Sequence, residues 1–98
     1  MYLLLVFYTQ PMEKIDALTP AHRAYLDKFL ASGNLMMSGR RTPPSGGVIL
    51  AKFESRGSVD AFIAGDPFVT GAVARYEVVE FNPGKLSSEA KAFIDRVS

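Results

Sequence analysis

Residues 2–9, YLLLVFYT, form an unbroken run of amino acids that favour β-strands. In a strand, residues 3, 5 and 7 point to one face of the sheet and residues 4, 6 and 8 to the other. Both sets are apolar, which is typical of a strand that lies inside a sheet and is covered on both sides. The run therefore predicts a central strand, in a fold that packs against both faces of its sheet.

The rest of the chain predicts three more strands and two main helices. The strands are expected at residues 35–41, 48–53 and 75–81, and the helices at residues 21–32 and 59–64. Thr19 is a favourable N-cap and Pro20 suits the first helical position, so the first helix is predicted to begin there, after a connecting segment. Gly33 is expected to end this helix.

The resulting order, β-α-β-β-α-β, most simply gives a ferredoxin-like split α+β fold with the first and third strands in the centre of the sheet. The third strand, residues 48–53, is also mostly apolar, which agrees with that position. We expect a single domain over residues 1–98, with a core of about residues 1–82 and a tail helix over about residues 87–97.

The second face of the first strand predicts self-association. The tail helix is too short to cover all of that face. The uncovered part would be an apolar patch of roughly several hundred Å², which monomers rarely expose. A domain of 98 residues also buries only a modest share of its surface by itself. We therefore expect two subunits to pack sheet on sheet, as a homodimeric α+β barrel.

The composition argues against several functional classes. The chain has no cysteine and one histidine, which excludes disulfides, thiol nucleophiles and a zinc site built from cysteine and histidine. Its net charge of +1 gives no argument for nucleic acid, and the third strand lacks the aromatic residues of an RNA-binding sheet. Phosphate-binding glycine motifs, long apolar segments and signal-peptide patterns do not occur. We expect a cytoplasmic protein with no metal, cofactor, nucleic-acid or membrane partner.

The stretch GDPF at residues 65–68 places a carboxylate at the end of the second helix, which Ser55 or Ser58 caps at its start. Asp66 continues the apolar face of this helix in phase, while Pro67 ends the helix and keeps Asp66 extended. The carboxylate therefore lies near the buried face, where it needs a hydrogen-bond donor. An Asp before Pro also commonly bonds the backbone of its own turn, and that alternative stays open.

The chain's one histidine, His22, lies on the apolar face of the predicted first helix, with Arg23 and Asp27 on the outer face. In the first turn after Thr19, the positive end of the helix disfavours an imidazolium, whereas a nearby carboxylate favours it. The spacing alone does not place Asp66 against His22, because contact requires the chain after the second helix to fold back. A lone histidine on a helix face is also commonly a structural residue.

Two segments carry a family resemblance, A-H-R-A-Y-L at residues 21–26 and D-P-F at residues 66–68. Weaker matches are Ser32-Gly33, Ser38-Gly39, Gly46-Gly47-Val48 and Glu54-Ser55. With these segments in register over about residues 2–81, the chain resembles the YCII-related (YciI-like) family. The resemblance implies a ferredoxin-like dimeric α+β barrel with an active-site dyad at His22 and Asp66. The Arg40-Arg41 pair, where the family more commonly has Gly followed by Pro, and the tail depart from the family pattern and leave the substrate class open.

The dyad that the resemblance implies predicts general acid/base chemistry, in which Asp66 orients the ring of His22 and His22 moves a proton. Some relatives resemble enzymes that eliminate halide from chlorinated hydroxyquinols, which implies lyase- or isomerase-like chemistry on a small enolic or aromatic metabolite. Arg40 is expected to bind a carboxylate or phenolate of this small-molecule ligand, with Ser38 and Phe68 lining the cleft.

Alternatives stay open for each of these assignments. Arg40 is equally consistent with a solvated charge at a strand end, and Ser38 with a structural strand residue. A haem stays open as a cofactor, because some dimeric barrels bind one through a histidine. The protein is an enzyme, a non-enzymatic small-molecule sensor, or a structural partner of another chain. Loss of conversion in His22→Ala, as opposed to weaker binding, separates the first two.

Overall fold

The computed structural model describes residues 1–96 and contains four strands and four helices in that range. In chain order these are β1 (Tyr2–Tyr8), α1 (Met12–Ser32), β2 (Leu35–Arg40), β3 (Gly46–Ala51), α2 (Arg56–Gly65), α3 (Pro67–Thr70), β4 (Ala74–Glu80) and α4 (Ser88–Asp95). The α+β prediction is confirmed, and the order of elements is compatible with a ferredoxin-like fold.

The four strands form one antiparallel sheet in the order β2-β3-β1-β4. The apolar strands β1 and β3 are its two central strands, as the sequence predicts. Leu4 of β1 lies opposite Ile49 of β3 and Val78 of β4, so buried and partly buried residues of neighbouring strands line up on one face. Together with residues of α1, α2 and α3, these side chains form the hydrophobic core.

The predicted start of α1 at Thr19 is wrong. The helix begins at Met12 and contains Pro20 in its interior. An interior proline lacks the backbone N–H of the helical ladder and costs about 3 kcal/mol. Burial of the Ile15 side chain, which is fully enclosed in the core, opposes this cost. His22 therefore lies in the middle of a long helix, and the argument from a positive helix end does not apply to it.

The ends of the other helices follow simple capping chemistry. Ser55, one of the two predicted caps, precedes α2, and its hydroxyl accepts the Ser58 N–H at 3.1 Å. The tail helix predicted over about residues 87–97 is present as α4, with Ser87 as its N-cap and Asp95 as its last residue. Residue 97 of that prediction lies outside the described residues.

The second face of the sheet is covered at one end by α4. Phe93 of this helix is buried, and the Lys52 ammonium donates to the carbonyls of Phe93 at 3.0 Å and Ile94 at 3.2 Å. Beyond the tail, Leu5 and Val48 face each other in the register and are half-buried, while Val79 on β4 is 45% exposed. An apolar strip thus remains on this face.

Within residues 1–96, none of the helices combines the length and the apolar character needed to cross a membrane.

Candidate active site

His22 of α1 and Asp66 at the end of α2 are in direct contact. The His22 Nδ1 and the Asp66 Oδ1 are 2.7 Å apart. The Asp66 side chain is fully buried, and that of His22 is 14% exposed. The chain after α2 does fold back towards α1, which the sequence left open. The catalytic roles of the two residues stay predictions.

Asp66 is held by the turn that it starts. It is the C-cap of α2 and the N-cap of α3, with the extended backbone (φ −66°, ψ 127°) that a following proline favours. Its Oδ1 accepts the backbone N–H of Phe68 at 3.0 Å in addition to the His22 contact. The two interpretations of Asp66, local turn residue and partner of His22, are therefore both correct.

The other carboxylate oxygen has a separate donor. The hydroxyl of Tyr76, on β4, donates to Asp66 Oδ2 at 2.5 Å. Burial, and then the negative charge of Asp66, raise the pKa of Tyr76 above its ordinary value, so this hydroxyl keeps its proton. Within residues 1–96, every buried side-chain nitrogen and oxygen has a hydrogen-bond partner, which fits a carboxylate that is fully satisfied despite its burial.

A tyrosine of α1 packs against the end of α2. The hydroxyl of Tyr25 donates to the Phe62 carbonyl at 2.6 Å. It passes so close to Gly65 that a Cβ on that residue would lie 2.5 Å from the Tyr25 oxygen. A side chain at residue 65 would therefore displace the Tyr25 ring, so the close approach of α1 favours glycine there.

The hydrogen bonds of the pair indicate which nitrogen of His22 carries the proton. An ionised carboxylate only accepts hydrogen bonds, so the neutral ring is assigned as the Nδ1–H tautomer. The Nε2 atom is then the nitrogen that can accept a proton. The ring is stacked on Phe68, with centroids 3.9 Å apart and an interplanar angle of 5°, which fixes its plane.

A cavity of about 220 Å³ opens beside His22, between α1 and the β1, β2 and β3 strands. Three other predicted residues, Ser38, Arg40 and Phe68, also line it. Ser38 lies opposite Ile49 in the register, on the face of the sheet that α1 covers. The structure therefore brings all five predicted site residues together, with Asp66 behind His22.

Three further residues of this region were missed by the sequence prediction. Tyr8 lines the cavity, and its hydroxyl accepts the Arg40 Nε–H at 3.3 Å. Arg23, predicted on the outer face of its helix, is exposed but also borders the cavity. Tyr76, on β4, donates its hydroxyl to Asp66. The alternation of β1 places Tyr8 on the correct face, but Tyr76 could be found only with the register of β4.

In the part of the chain that the structure describes, no group of three or more His, Cys, Asp or Glu side chains is arranged to hold a metal ion.

Comparison with known proteins supports the family and the fold. A model of the YCII-related domain matches residues 1–82, which confirms the family resemblance. The chain is similar in structure to 5-chloro-2-hydroxyhydroquinone dehydrochlorinase from Burkholderia phenoliruptrix AC1100, solved as a complex with 2,5-dihydroxybenzoquinone. The two are 23% identical with a TM-score of 0.69, and the match covers 86% of this chain and 96% of that chain. At this identity the likeness shows a shared fold. A search of curated proteins finds no match.

Proposed function

Because this chain belongs to the YCII-related domain family, we propose that it is a small-molecule enzyme. In this proposal His22 transfers a proton, and Asp66 orients the imidazole and balances its positive charge. The observation that carries this proposal is the 2.7 Å contact between a fully buried carboxylate and the one histidine on the cavity wall. A carboxylate behind an imidazole fixes its tautomer and stabilises the imidazolium that proton transfer creates.

The proposed reaction starts with proton abstraction. His22 Nε2 takes a proton from an O–H of the substrate, whose oxygen keeps the electron pair, or from a carbon next to a carbonyl, whose electron pair moves to the carbonyl oxygen. In isomerisation, the imidazolium then returns the proton at another position of the substrate. In elimination, the electron pair expels a leaving group as its anion, and the imidazolium releases its proton to the solvent. These lyase- or isomerase-like outcomes need the same general acid/base and differ in the substrate.

The groups opposite His22 suit a substrate with a negative or developing oxygen. The Arg40 guanidinium and the Tyr8 hydroxyl are joined by a hydrogen bond of 3.3 Å at the cavity, and both can donate to a phenolate, enolate or carboxylate. A cavity of about 220 Å³ suits a single small ring. The dehydrochlorinase of similar fold is bound to 2,5-dihydroxybenzoquinone, which favours small enolic or aromatic metabolites as the class to test first.

The proposed assembly is a homodimer with its sheets packed face to face. The apolar strip beyond α4, with Leu5, Val48 and Val79, is the surface that would become buried. Exposed Met37, on the same face of the sheet, extends it. Sedimentation velocity at micromolar concentration checks this assembly, and a monomer there would contradict it. The cytoplasmic location expected from the sequence also stays a prediction.

The test of the proposed function is solvent-deuterium incorporation into small dihydroxybenzoquinones and hydroxyquinols, followed by NMR, for the intact protein and for His22→Asn. An asparagine amide can still donate to Asp66 but cannot act as a base. We expect exchange by the intact protein and a loss of about 100-fold or more in His22→Asn, with ligand binding retained. Binding without exchange and without release of a leaving group from halogenated hydroxyquinols in the intact protein would instead identify a sensor, and equal exchange in both proteins would remove His22 from the chemistry.

A further inference from the structure

Asp66 is the one charged residue among residues 1–96 whose side chain is buried in the core. An ionised carboxylate in such a place is costly unless donors surround it. Its Oδ1 has two of them, the His22 ring and the Phe68 backbone. Its Oδ2 has one, the Tyr76 hydroxyl at 2.5 Å. When His22 is neutral, the pair carries a net negative charge, and Tyr76 is then the one side-chain donor besides His22 that stabilises it within the described residues.

The location of Tyr76 separates it from the substrate. It is on β4 and does not line the cavity. Its ring packs against that of Phe62 in the core, with centroids 6.4 Å apart and an interplanar angle of 90°. Its hydroxyl donates to Asp66 Oδ2, whereas His22 contacts Oδ1, so the two groups do not share a carboxylate oxygen. Any influence of Tyr76 on a reaction in the cavity therefore passes through Asp66.

We propose that Tyr76 is a positioning residue for the His22–Asp66 pair, whose hydroxyl fixes the second carboxylate oxygen and sets the pH at which the pair gains a proton. The hydrogen bond stabilises the anionic carboxylate most when His22 is neutral. Without this hydrogen bond, the state with an anionic Asp66 and a neutral His22 is less stable. The pair then takes up a proton at higher pH, whichever of the two residues holds the proton. The consequence for turnover rests on the proposed function, but the effect on titration does not.

The other groups around the pair define the controls. Tyr25 faces Asp66 from α1, and Tyr8, Arg23 and Arg40 border the cavity on the exposed side of His22. Tyr25 is the matched control, because its hydroxyl is likewise in a partly buried hydrogen bond but donates to the Phe62 carbonyl, not to Asp66. Tyr25→Phe and Tyr76→Phe thus remove the same atom from two neighbouring places.

The experiment follows the ring signals of His22 by NMR as a function of pH in the intact protein, Tyr76→Phe and Tyr25→Phe. The chain has one histidine, so the signals need no assignment among several rings. We expect the titration midpoint to rise by about one pH unit in Tyr76→Phe and to stay within about 0.2 in Tyr25→Phe. If a substrate is found, the acidic limb of its kcat/KM profile should move by the same amount.

Three results would overturn the proposal: an unchanged midpoint in Tyr76→Phe, a lowered midpoint, or equal shifts in the two variants. Equal shifts would mean that the loss of core packing, and not the hydrogen bond to Asp66, moves the titration. Since the readout is an equilibrium titration without substrate, it is independent of whether deuterium exchange is found. Failure of the proposed function and failure of this inference can therefore be told apart.

Discussion

The ring of His22 lies parallel to that of Phe68, with centroids 3.9 Å apart and an interplanar angle of 5°. Phe68 is also the residue whose backbone N–H donates to Asp66. One residue of the short helix α3 thus fixes the plane of the imidazole through its ring and the position of the carboxylate through its backbone. The aromatic face beneath His22 also favours the charged ring, because a cation is attracted to the π-electrons.

Replacement of Phe68 by leucine tests the stacking separately from the backbone bond. Phe68→Leu keeps an apolar side chain and the backbone N–H but removes the aromatic face. We expect the titration midpoint of His22, measured by NMR, to fall by about half a pH unit, because a cation–π contact contributes about 0.5–1 kcal/mol. An unchanged or raised midpoint would show that the stacking orients the ring without favouring its charge.

Replacement of Asp66 by asparagine should remove the charge of the dyad but keep its hydrogen bonds. The Phe68 N–H and the His22 ring both need an acceptor at the position of Oδ1, so the amide oxygen lies there, and the amide NH₂ lies at the position of Oδ2, where the Tyr76 hydroxyl can turn to accept. We expect a titration midpoint lower by about one to three pH units and, with an active substrate, a kcat lower by about 10–10³-fold, because the imidazolium loses its counter-charge. Asp60→Asn, in the exposed ion pair with Arg56 on the same helix, is the control and should change neither quantity.

An unchanged midpoint in Asp66→Asn would mean that the two groups are not electrostatically coupled, despite the 2.7 Å contact. The acid/base mechanism would then lose its main physical support. Such a result would favour the non-enzymatic alternative, in which the cavity binds a small molecule without converting it.

The sequence predicted the central part of the fold because local and tertiary signals agree there. The double apolar face of residues 2–9 requires a central strand, and the structure has β1 in that position. The predicted start of α1 is wrong because local and tertiary signals disagree there. Thr19 and Pro20 give a strong local signal for a helix start, but the burial of Ile15 continues the helix through them.

The site was predictable only in part for a related reason. His22 and Asp66 are unusual in the sequence, as the one histidine and as an acidic residue in phase with an apolar helix face. Tyr76 and Tyr8 are ordinary aromatic residues in strands, where packing is the expected role. Their hydroxyl partners, Asp66 and Arg40, become evident only when the strand register brings them within hydrogen-bond distance.

Gly65→Ala tests the approach of Tyr25 to the end of α2. A Cβ at Gly65 would lie 2.5 Å from the Tyr25 hydroxyl and 3.1 Å from the ring carbon that bears it, so the ring must move. We expect the free energy of unfolding, from urea titration, to fall by about 1–3 kcal/mol. Gly57→Ala is the control in the same helix. The nearest atom to its Cβ would be 3.7 Å away, so helix propensity should leave stability unchanged or slightly higher.

A double variant makes the cause of this loss specific. Tyr25→Phe removes the atom of closest approach, so adding it to Gly65→Ala should cost less than Tyr25→Phe costs in the intact protein. Strictly additive losses would indicate that Gly65 is needed for its backbone conformation and not for the space it leaves.

The hydroxyl of Tyr76 beside Asp66 predicts a loss of stability at alkaline pH. Burial, followed by the charge of Asp66, raises the pKa of Tyr76 above the ordinary value of 10.0 that applies to the unfolded chain. The folded state therefore keeps a proton that the unfolded state releases. Stability from this tyrosine is fully present below about pH 10 and falls as the pH rises above it, by up to about 1.4 kcal/mol per pH unit.

Urea unfolding at several values between pH 8 and pH 11 measures this dependence on the intact protein and on Tyr76→Phe. Lysine deprotonation contributes to both curves, so the difference between them isolates the tyrosine. Phenylalanine has no proton to release, and we expect the variant to lose less stability than the intact protein between pH 10 and pH 11, by up to about 1 kcal/mol. Parallel curves would show that the Tyr76 hydroxyl ionises as readily in the folded protein as in the unfolded chain. That result would be incompatible with a hydroxyl enclosed in the core beside the Asp66 carboxylate.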